Sequence, residues 1–327
     1  MKAAEIEKDI LVIKERENEK LNNRKGAIVK VLGCGLCGSD IVKLKQHLAK
    51  QGTVLGHEIV AKIVEIDSDT DFKKDDVIIS SHHIPCGKCE YCKNGNVSMC
   101  RHFKETNIKP GGFSELVFVS EEHLQNVAYL KPSNLTNVEA SFYEPLGCCI
   151  RAVKRAALRE HSTVLVIGLG SVGILMAQAL KASGMNVIGC DLISSRVETL
   201  KSIGIEAFKV PEMCESIKVD AVFMTSGSDK AIDTALKFVR DGGKILVFSS
   251  TPNNFGYANN EIYYRELTVL GSYSPSPKDL KDSLDLLAKK EVKVSGLSTE
   301  YPLDKAQKAI NDTIENKIMK AYIKISE

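Results

Sequence analysis

The stretch Val164-Leu-Val-Ile-Gly168-Leu-Gly170-Ser-Val-Gly173 carries an apolar strand into a G-x-G-x-x-G turn and on into the helix-like run SVGILMAQALKASG. Gly168 permits the tight turn, Gly170 lets the backbone approach a pyrophosphate, and Gly173 lets the helix pack closely on the strand. A phosphate group would rest on the helix N-terminus, where free N–H groups and the helix dipole favour an anion. By itself the glycine pattern also describes an ordinary tight turn. The context here is fuller, because a second strand, NVIGC, follows and ends in Asp191. An acid at that place accepts hydrogen bonds from ribose hydroxyls and repels a 2′-phosphate. Asp191 also suits a helix N-cap, and Arg196 suits covering an adenine. The reading is a dinucleotide site for NAD rather than NADP, built from Gly168, Leu169, Gly170, Ser171, Val172, Gly173, Asp191 and Arg196.

Working outward, strand–helix alternation continues through SRVETLKSIG, DAVFMTSG, DKAIDTALKFVRDGG and KILVFSS. That alternation implies right-handed βαβ units and a doubly wound parallel sheet. Ser226 and Phe248, within two of these strands, join the candidate cofactor residues. Gly271, Ser272 and Tyr273 follow the last strand and are expected to line the nicotinamide end of the cleft. Before about residue 140 the pattern differs. Short β-branched runs (AIVKVLG, EIVAKIVEI, DVIISS, SELVFVS) are separated by Gly, Asp and Lys turns, which predicts a compact, mostly antiparallel β domain. The tail from Ser274 holds two helix-like stretches and a short apolar strand, AYIKIS, and its residues fit either domain.

A chain of 327 residues suits two domains. Its net charge of +2 predicts neither a nucleic-acid binder nor a membrane-surface protein. No apolar run is long enough to span a bilayer, and the charged N-terminus lacks the apolar core of a signal peptide, so the expected location is the cytoplasm. The ten cysteines are many for that compartment, where clustered thiols more often bind metal than form disulfides. Cys86, Cys89, Cys92 and Cys100 follow the pattern C-x2-C-x2-C-x7-C. Thiolates so spaced can close a tetrahedron round Zn²⁺ with no open position, ordering a loop rather than doing chemistry. An iron–sulfur cluster is the main rival.

A second constellation is scattered: Cys37-Gly-Ser39-Asp40, Gly56-His57-Glu58, and Glu144-Pro145. Singly, Cys37 suits a buried apolar position, His57 a satisfied core histidine, and Glu58 a surface acid. Together, one Cys, one His and carboxylates from separate loops describe an open, catalytic metal site.

These motifs, in the order CGLCGSD, GHE, the four-cysteine lobe, PGGFSE, EPLGCC and GLGSVG, resemble the zinc-containing medium-chain dehydrogenases in their polyol and threonine dehydrogenase branch. Within it, EPLGCCIRAVKRA and EIYYRELTVLGSYSPSPKDLKDSLDLL are similar to the iditol 2-dehydrogenase-like group, which acts on sugar alcohols and cyclitols. The resemblance implies a GroES-like catalytic domain over 1–143 with its zinc lobe at about 84–102, a Rossmann domain over 144–273, and a segment 274–327 returning to the first domain. It implies two zinc ions per chain. Cys37, His57 and Glu58 would hold the catalytic one, with Glu144 as an alternating or additional ligand; Cys86, Cys89, Cys92 and Cys100 would hold the structural one. It further implies a homodimer or homotetramer joined through an edge strand, here LTVLGSY, and a small alcohol as partner.

The remaining cysteines, Cys34, Cys148, Cys149, Cys190 and Cys214, match no ligand position and read as small core residues. The reaction implied is hydride transfer from a secondary alcohol to NAD, giving a ketone, with the metal lowering the pKa of the alcohol. Ser39 is the natural first proton acceptor. In many relatives a histidine continues this relay, where this chain has Val42. Lys43 stands where sorbitol dehydrogenases often carry an aromatic residue, which leaves room for a sugar phosphate. His83 matches a position near the active site of threonine dehydrogenases and equally suits a loop histidine of no consequence. L-threonine 3-dehydrogenase shares every metal motif, but nothing in the chain clearly supplies contacts for an ammonium and a carboxylate. A zinc-bearing homologue without catalysis is the reading from another class, and the complete Cys37, His57, Glu58 set argues against it.

Overall fold

The computed structural model describes residues 1–213, 216–250 and 259–326. Cys214 lies outside them. The chain divides into two compact units, Met1–Pro145 with Ser276–Lys289 and Val294–Glu327, and Leu146–Pro275 with Lys290–Lys293.

The first unit opens on a hairpin of β1 (Lys2–Glu7) and β2 (Ile10–Glu15), turned by Lys8 and Asp9, both at positive φ. Two such residues give the turn whose twist matches that of the flanking strands. Its main sheet contains β3 (Gly26–Gly35), β4 (Glu58–Asp67), β5 (Val77–Ser80), β6 (Leu116–Ser120), β7 (Ala128–Leu130), β14 (Ser298–Pro302) and β15 (Lys320–Lys324). The order is β14-β15-β3-β4-β5-β7, with β6 also on β3. All pairings are antiparallel except β14 with β15. Alternate residues of these strands (Val29, Val31, Ile59, Ala61, Ile63) enter a core shared with Phe113, Val117, Val119 and Ile323.

The tail therefore adds two helices and two strands to this unit. Its first helix, Pro277–Ala288, starts at a capping box of Ser276 and Asp279 with Pro at the first turn, which satisfies N–H groups that the helix leaves open. The second strand, Ser298–Pro302, was not expected from its polar sequence, STEYP; it pairs along one edge of β15.

The second unit is a six-stranded parallel sheet of β8 (Thr163–Ile167), β9 (Asn186–Asp191), β10 (Glu206–Lys209), β11 (Val219–Met224), β12 (Val239–Val247) and β13 (Thr268–Gly271). Its order, β10-β9-β8-β11-β12-β13, reverses direction between β8 and β11. In such sheets the ligand crevice lies at the carboxyl ends of the strands flanking that reversal. Continuous apolar strands such as TVLVI and VDAVFM suit a sheet covered on both faces. No helix among the described residues is long and apolar enough to cross a membrane.

Candidate functional site

Three strands bring the first donor set together. β3 ends at Gly35, which pairs with Glu58 at the start of β4 on one side and with Tyr322 of β15 on the other. Cys37 follows two residues after β3 and immediately precedes the helix Gly38–Lys45, while His57 immediately precedes Glu58. One donor atom each of Cys37, His57 and Glu58 lies within 4.8 Å of the others. A second set, His57, His82 and Glu144, meets the same limit and shares His57. His57, Glu58, His82 and Glu144 are all buried.

Neighbouring side chains hold these donors in place. Asp40, wholly buried, accepts the Cys37 N–H at 3.2 Å and the Gly56 N–H at 3.4 Å, and its Oδ1 lies 3.5 Å from His57 Nδ1. That pairing leaves the other ring nitrogen of His57 for a metal. Burial opposes the charge on Asp40, yet His57, Lys43 and the Cys37 N–H together outweigh burial and lower the carboxyl pKa. Burial likewise opposes charge on His57, and Asp40 and then Cys37 outweigh it, raising the imidazole well above the usual histidine value.

Lys320, 4% exposed, sits with Nζ 2.6 Å from Glu58 Oε2 and donates to the Leu36 carbonyl at 3.1 Å. Burial penalises the ammonium, but Glu58 with Cys37 and Cys34 more than compensates and raises its pKa. Lys320 is thus the cationic neighbour of Oε2, while Glu58 Oε1 is buried with no hydrogen-bond partner among the described residues. A buried carboxylate oxygen without such a partner fits a cation as its missing neighbour.

Ser39 is exposed in the first turn of its helix. His83 is half-buried and its Nδ1 bonds the Thr106 carbonyl at 2.6 Å; burial pushes its pKa down to about 4. That is a structural bond. His82 next to it is the one whose donor atom joins the cluster. Sequence reasoning missed His82 and Lys320, and it quoted Asp40 in the motif without assigning it a role towards His57. The doubled histidine ahead of Cys86 and the single lysine leading the apolar strand KAYIK were the available signals.

The four thiols Cys86, Cys89, Cys92 and Cys100 also converge within 4.8 Å, with Cys89 Sγ and Cys92 Sγ 3.6 Å apart. Between Cys86 and Cys100 only Ser98 and Cys100 itself are buried, so the lobe has no apolar core of its own. Burial works against ionising Cys100, but the N–H groups of Cys86 and Phe103 overcome it and bring that thiol down to about 6. Backbone N–H groups of Lys88 and Cys89 lower Cys86 as well. Burial, with Cys89 and Cys100 beside it, instead raises Cys92 to about 12. The crowded thiols thus hold protons unequally, and a metal, which binds the thiolate, would replace those protons. Cys34, Cys149 and Cys190 are fully buried and Cys148 half-buried.

In the second unit, the turn after β8 has Gly168 at φ +90°. A Cβ on Gly173 would stand 1.9 Å from the Gly168 carbonyl oxygen, whereas a Cβ on Gly170 would meet nothing within 4 Å. So Gly173 is required by packing, and open space lies over Gly170 at the start of the helix Ser171–Ala182, which includes Val172. Thr225 Oγ1 pins the turn by donating to the Gly168 carbonyl at 2.6 Å. Asp191 Oδ2 accepts the Leu169 N–H at 2.6 Å, its Oδ1 accepts the Ile193 N–H at 2.8 Å, and Arg196 pairs with Oδ2 at 3.6 Å. Each oxygen keeps a further lone pair. Ser226 packs beside Gly168 at the reversal of strand order, and Phe248 N–H bonds the Met224 carbonyl, which places it one strand further on, at the carboxyl end of β12. Gly271 accepts from Arg155, Ser272 Oγ is buried without a hydrogen-bond partner among the described residues, and Tyr273 is exposed.

Residues 23–129 match the family model described as the alcohol dehydrogenase GroES-like domain, and residues 171–289 the one described as zinc-binding dehydrogenase. The chain is 30% identical to a sorbitol dehydrogenase of Halalkalibacterium halodurans over 86% of each protein. It is 29% identical to a D-arabitol-phosphate dehydrogenase of Enterococcus avium over 90% of this chain and 89% of that one. Among solved structures, the galactitol-1-phosphate dehydrogenase of Escherichia coli superposes with a TM-score of 0.87 at 22% identity, over 99% of this chain and 100% of that one. With the GroES-like unit, the Rossmann sheet and these relatives in hand, the chain belongs to the zinc-type medium-chain polyol dehydrogenases, oxidoreductases acting on the CH–OH group of alcohols.

Proposed function

We propose that this enzyme oxidises a secondary alcohol of a polyol, cyclitol or related sugar derivative to a ketone, with NAD as the hydride acceptor and two zinc ions per chain. The observation that carries this reading is the convergence of Cys37, His57 and Glu58, with Glu58 Oε1 buried and without a hydrogen-bond partner among the described residues. One thiolate, one imidazole and one carboxylate fit a catalytic zinc that keeps an open position, and Glu144, which meets His57 in the second set, is the additional donor. A zinc ion there supplies Lewis acidity, lowering the pKa of the alcohol at neutral pH. Asp40 orients His57, and the exposed Ser39 hydroxyl takes the proton from the alcohol towards solvent. Cys86, Cys89, Cys92 and Cys100 hold the structural ion.

NAD rather than NADP follows from Asp191, whose carboxylate favours ribose hydroxyls and disfavours a 2′-phosphate. Arg196 is ion-paired to that carboxylate and so is engaged away from such a phosphate. A phosphorylated polyol is the second reading, favoured by Lys43. It is half-buried, and among the described residues no carboxylate pairs with it. Assays on matched free and phosphorylated polyols decide between the two. We further infer a cytoplasmic homodimer or homotetramer, assembled through β13, which as the edge strand leaves a row of backbone groups open to pairing.

The test pairs Cys37→Ser with Asp191→Ala. Cys37→Ser is expected to lose the catalytic zinc and to slow turnover roughly a thousandfold or more while still binding NADH. Asp191→Ala is expected to weaken NAD binding with zinc content unchanged. A Cys37→Ser protein that keeps its zinc and most of its activity would overturn the assignment.

A further inference from the structure

We propose that His82 reads the substrate: its imidazole hydrogen-bonds a hydroxyl beside the carbinol being oxidised, and so selects polyols over alcohols with a single hydroxyl. This rests on the polyol reading above and assigns a residue to it.

The geometry begins with placement. His82 follows the end of β5, is buried, and shares the 4.8 Å cluster with His57 and Glu144. Its ring lies between two others, 4.3 Å from His57 and 3.8 Å from His83 between centroids. Its backbone is held too, since His123 Nε2 bonds its carbonyl at 3.0 Å and the Ser81 N–H bonds the Val127 carbonyl. The ring is thus fixed beside the candidate metal ligands.

His82 is not itself suited to be a ligand. Two imidazoles on one tetrahedral zinc, with Zn–N near 2.0–2.1 Å, hold their ring centres about 5 Å apart. The 4.3 Å separation from His57 is tighter, that of a neighbouring ring packed against it with its plane tilted by 40°. Yet His82 Nδ1 is buried and has no hydrogen-bond partner among the described residues. A buried polar atom so placed is normally satisfied, and here a bound molecule is the available source of a partner. A neutral imidazole offers one donor and one acceptor, which is also what a hydroxyl offers. A simple secondary alcohol has no second hydroxyl and leaves the nitrogen unpaired. Sites built to bond a substrate hydroxyl reject analogues lacking it by up to about 10⁴–10⁵-fold.

The experiment compares the zinc-loaded wild type, His82→Phe and His82→Asn on sorbitol and on 2-butanol, with zinc content and the calorimetric Kd for sorbitol measured on each. The expected wild-type preference for sorbitol in kcat/KM is about a hundredfold or more, and His82→Phe is expected to erase at least about tenfold of it. The same variant should weaken sorbitol binding about tenfold while keeping its zinc and its rate on 2-butanol. His82→Asn, whose amide falls near the Nδ1 position, should recover much of both. Equal losses on the two alcohols, an unchanged preference, or loss of zinc from His82→Phe would each overturn the proposal. Oxidation of none of a panel of polyols, cyclitols and polyol phosphates by the wild type would instead overturn the polyol reading, and this assignment with it. Oxidation of sorbitol with an indifferent His82→Phe would overturn the assignment alone.

Discussion

Lys320 is the residue on which the first unit's buried charge balance turns. Glu58 and Lys320 neutralise each other out of contact with water, and removing one partner of a buried pair costs about 3–5 kcal/mol. In Lys320→Met that cost falls on a carboxylate which a metal can also neutralise. The melting temperature of the chelator-treated protein should therefore drop by more than that of the zinc-loaded protein. Equal drops would mean that Glu58 and the metal are unconnected. The sequence showed Glu58 through the adjacent GHE motif, because its chemistry is local. Lys320 stayed hidden because its partner is set by strand pairing with residues far up the chain. His82 stayed hidden for a related reason, since His83 offered the more familiar position and only the ring geometry tells the two apart.

At the scale of an element, the turn from β8 into the helix Ser171–Ala182 separates two uses of glycine. Gly170 has φ −64°, a value any residue adopts, and open space beside it, so Gly170→Ala should leave thermal stability almost unchanged. Its methyl group would occupy the space a pyrophosphate approaches, so NADH affinity should fall about tenfold or more. Gly173→Ala would force the helix away from the Gly168 carbonyl, a packing strain worth about 1–3 kcal/mol, and should lower stability and NADH affinity together. Calorimetric unfolding with NADH titration checks both; an intact NADH affinity in Gly170→Ala would remove the phosphate from that turn. This element was fully legible, since turn, strand and helix are contiguous and their glycines are fixed by local sterics. The edge strand Ser298–Pro302 was not, because STEYP has no apolar alternation and owes its form to the neighbouring β15.

Over the whole molecule, the two units were legible as a change in periodicity, from β-branched runs to strand–helix alternation. The placement of the tail was not legible in its own residues, because its helices and strands carry no mark of the sheet they join; only the resemblance implied its return to the first unit. The four-cysteine lobe is the part of the first unit least supported by burial. Cys92→Ser should therefore lose one zinc per chain, retain the catalytic ion, and expose the segment 86–100 to proteolysis with a lower melting temperature. Unchanged metal content and melting temperature would remove the structural ion from this lobe.

The position of β15 also sets a timetable for biosynthesis. Lys320 lies 284 positions after Leu36, whose carbonyl it bonds, and at ribosomal speeds that separation is on the order of tens of seconds. Leu146–Pro275 is nearly all of its unit and can fold as it emerges, while the sheet carrying Glu58 waits for its last strand. Until then Glu58 lacks its lysine, so the nascent chain must keep that carboxylate hydrated or give it to a metal. The strand that carries Lys320 thus closes a site whose other residues are made 284 positions earlier in the case of Leu36.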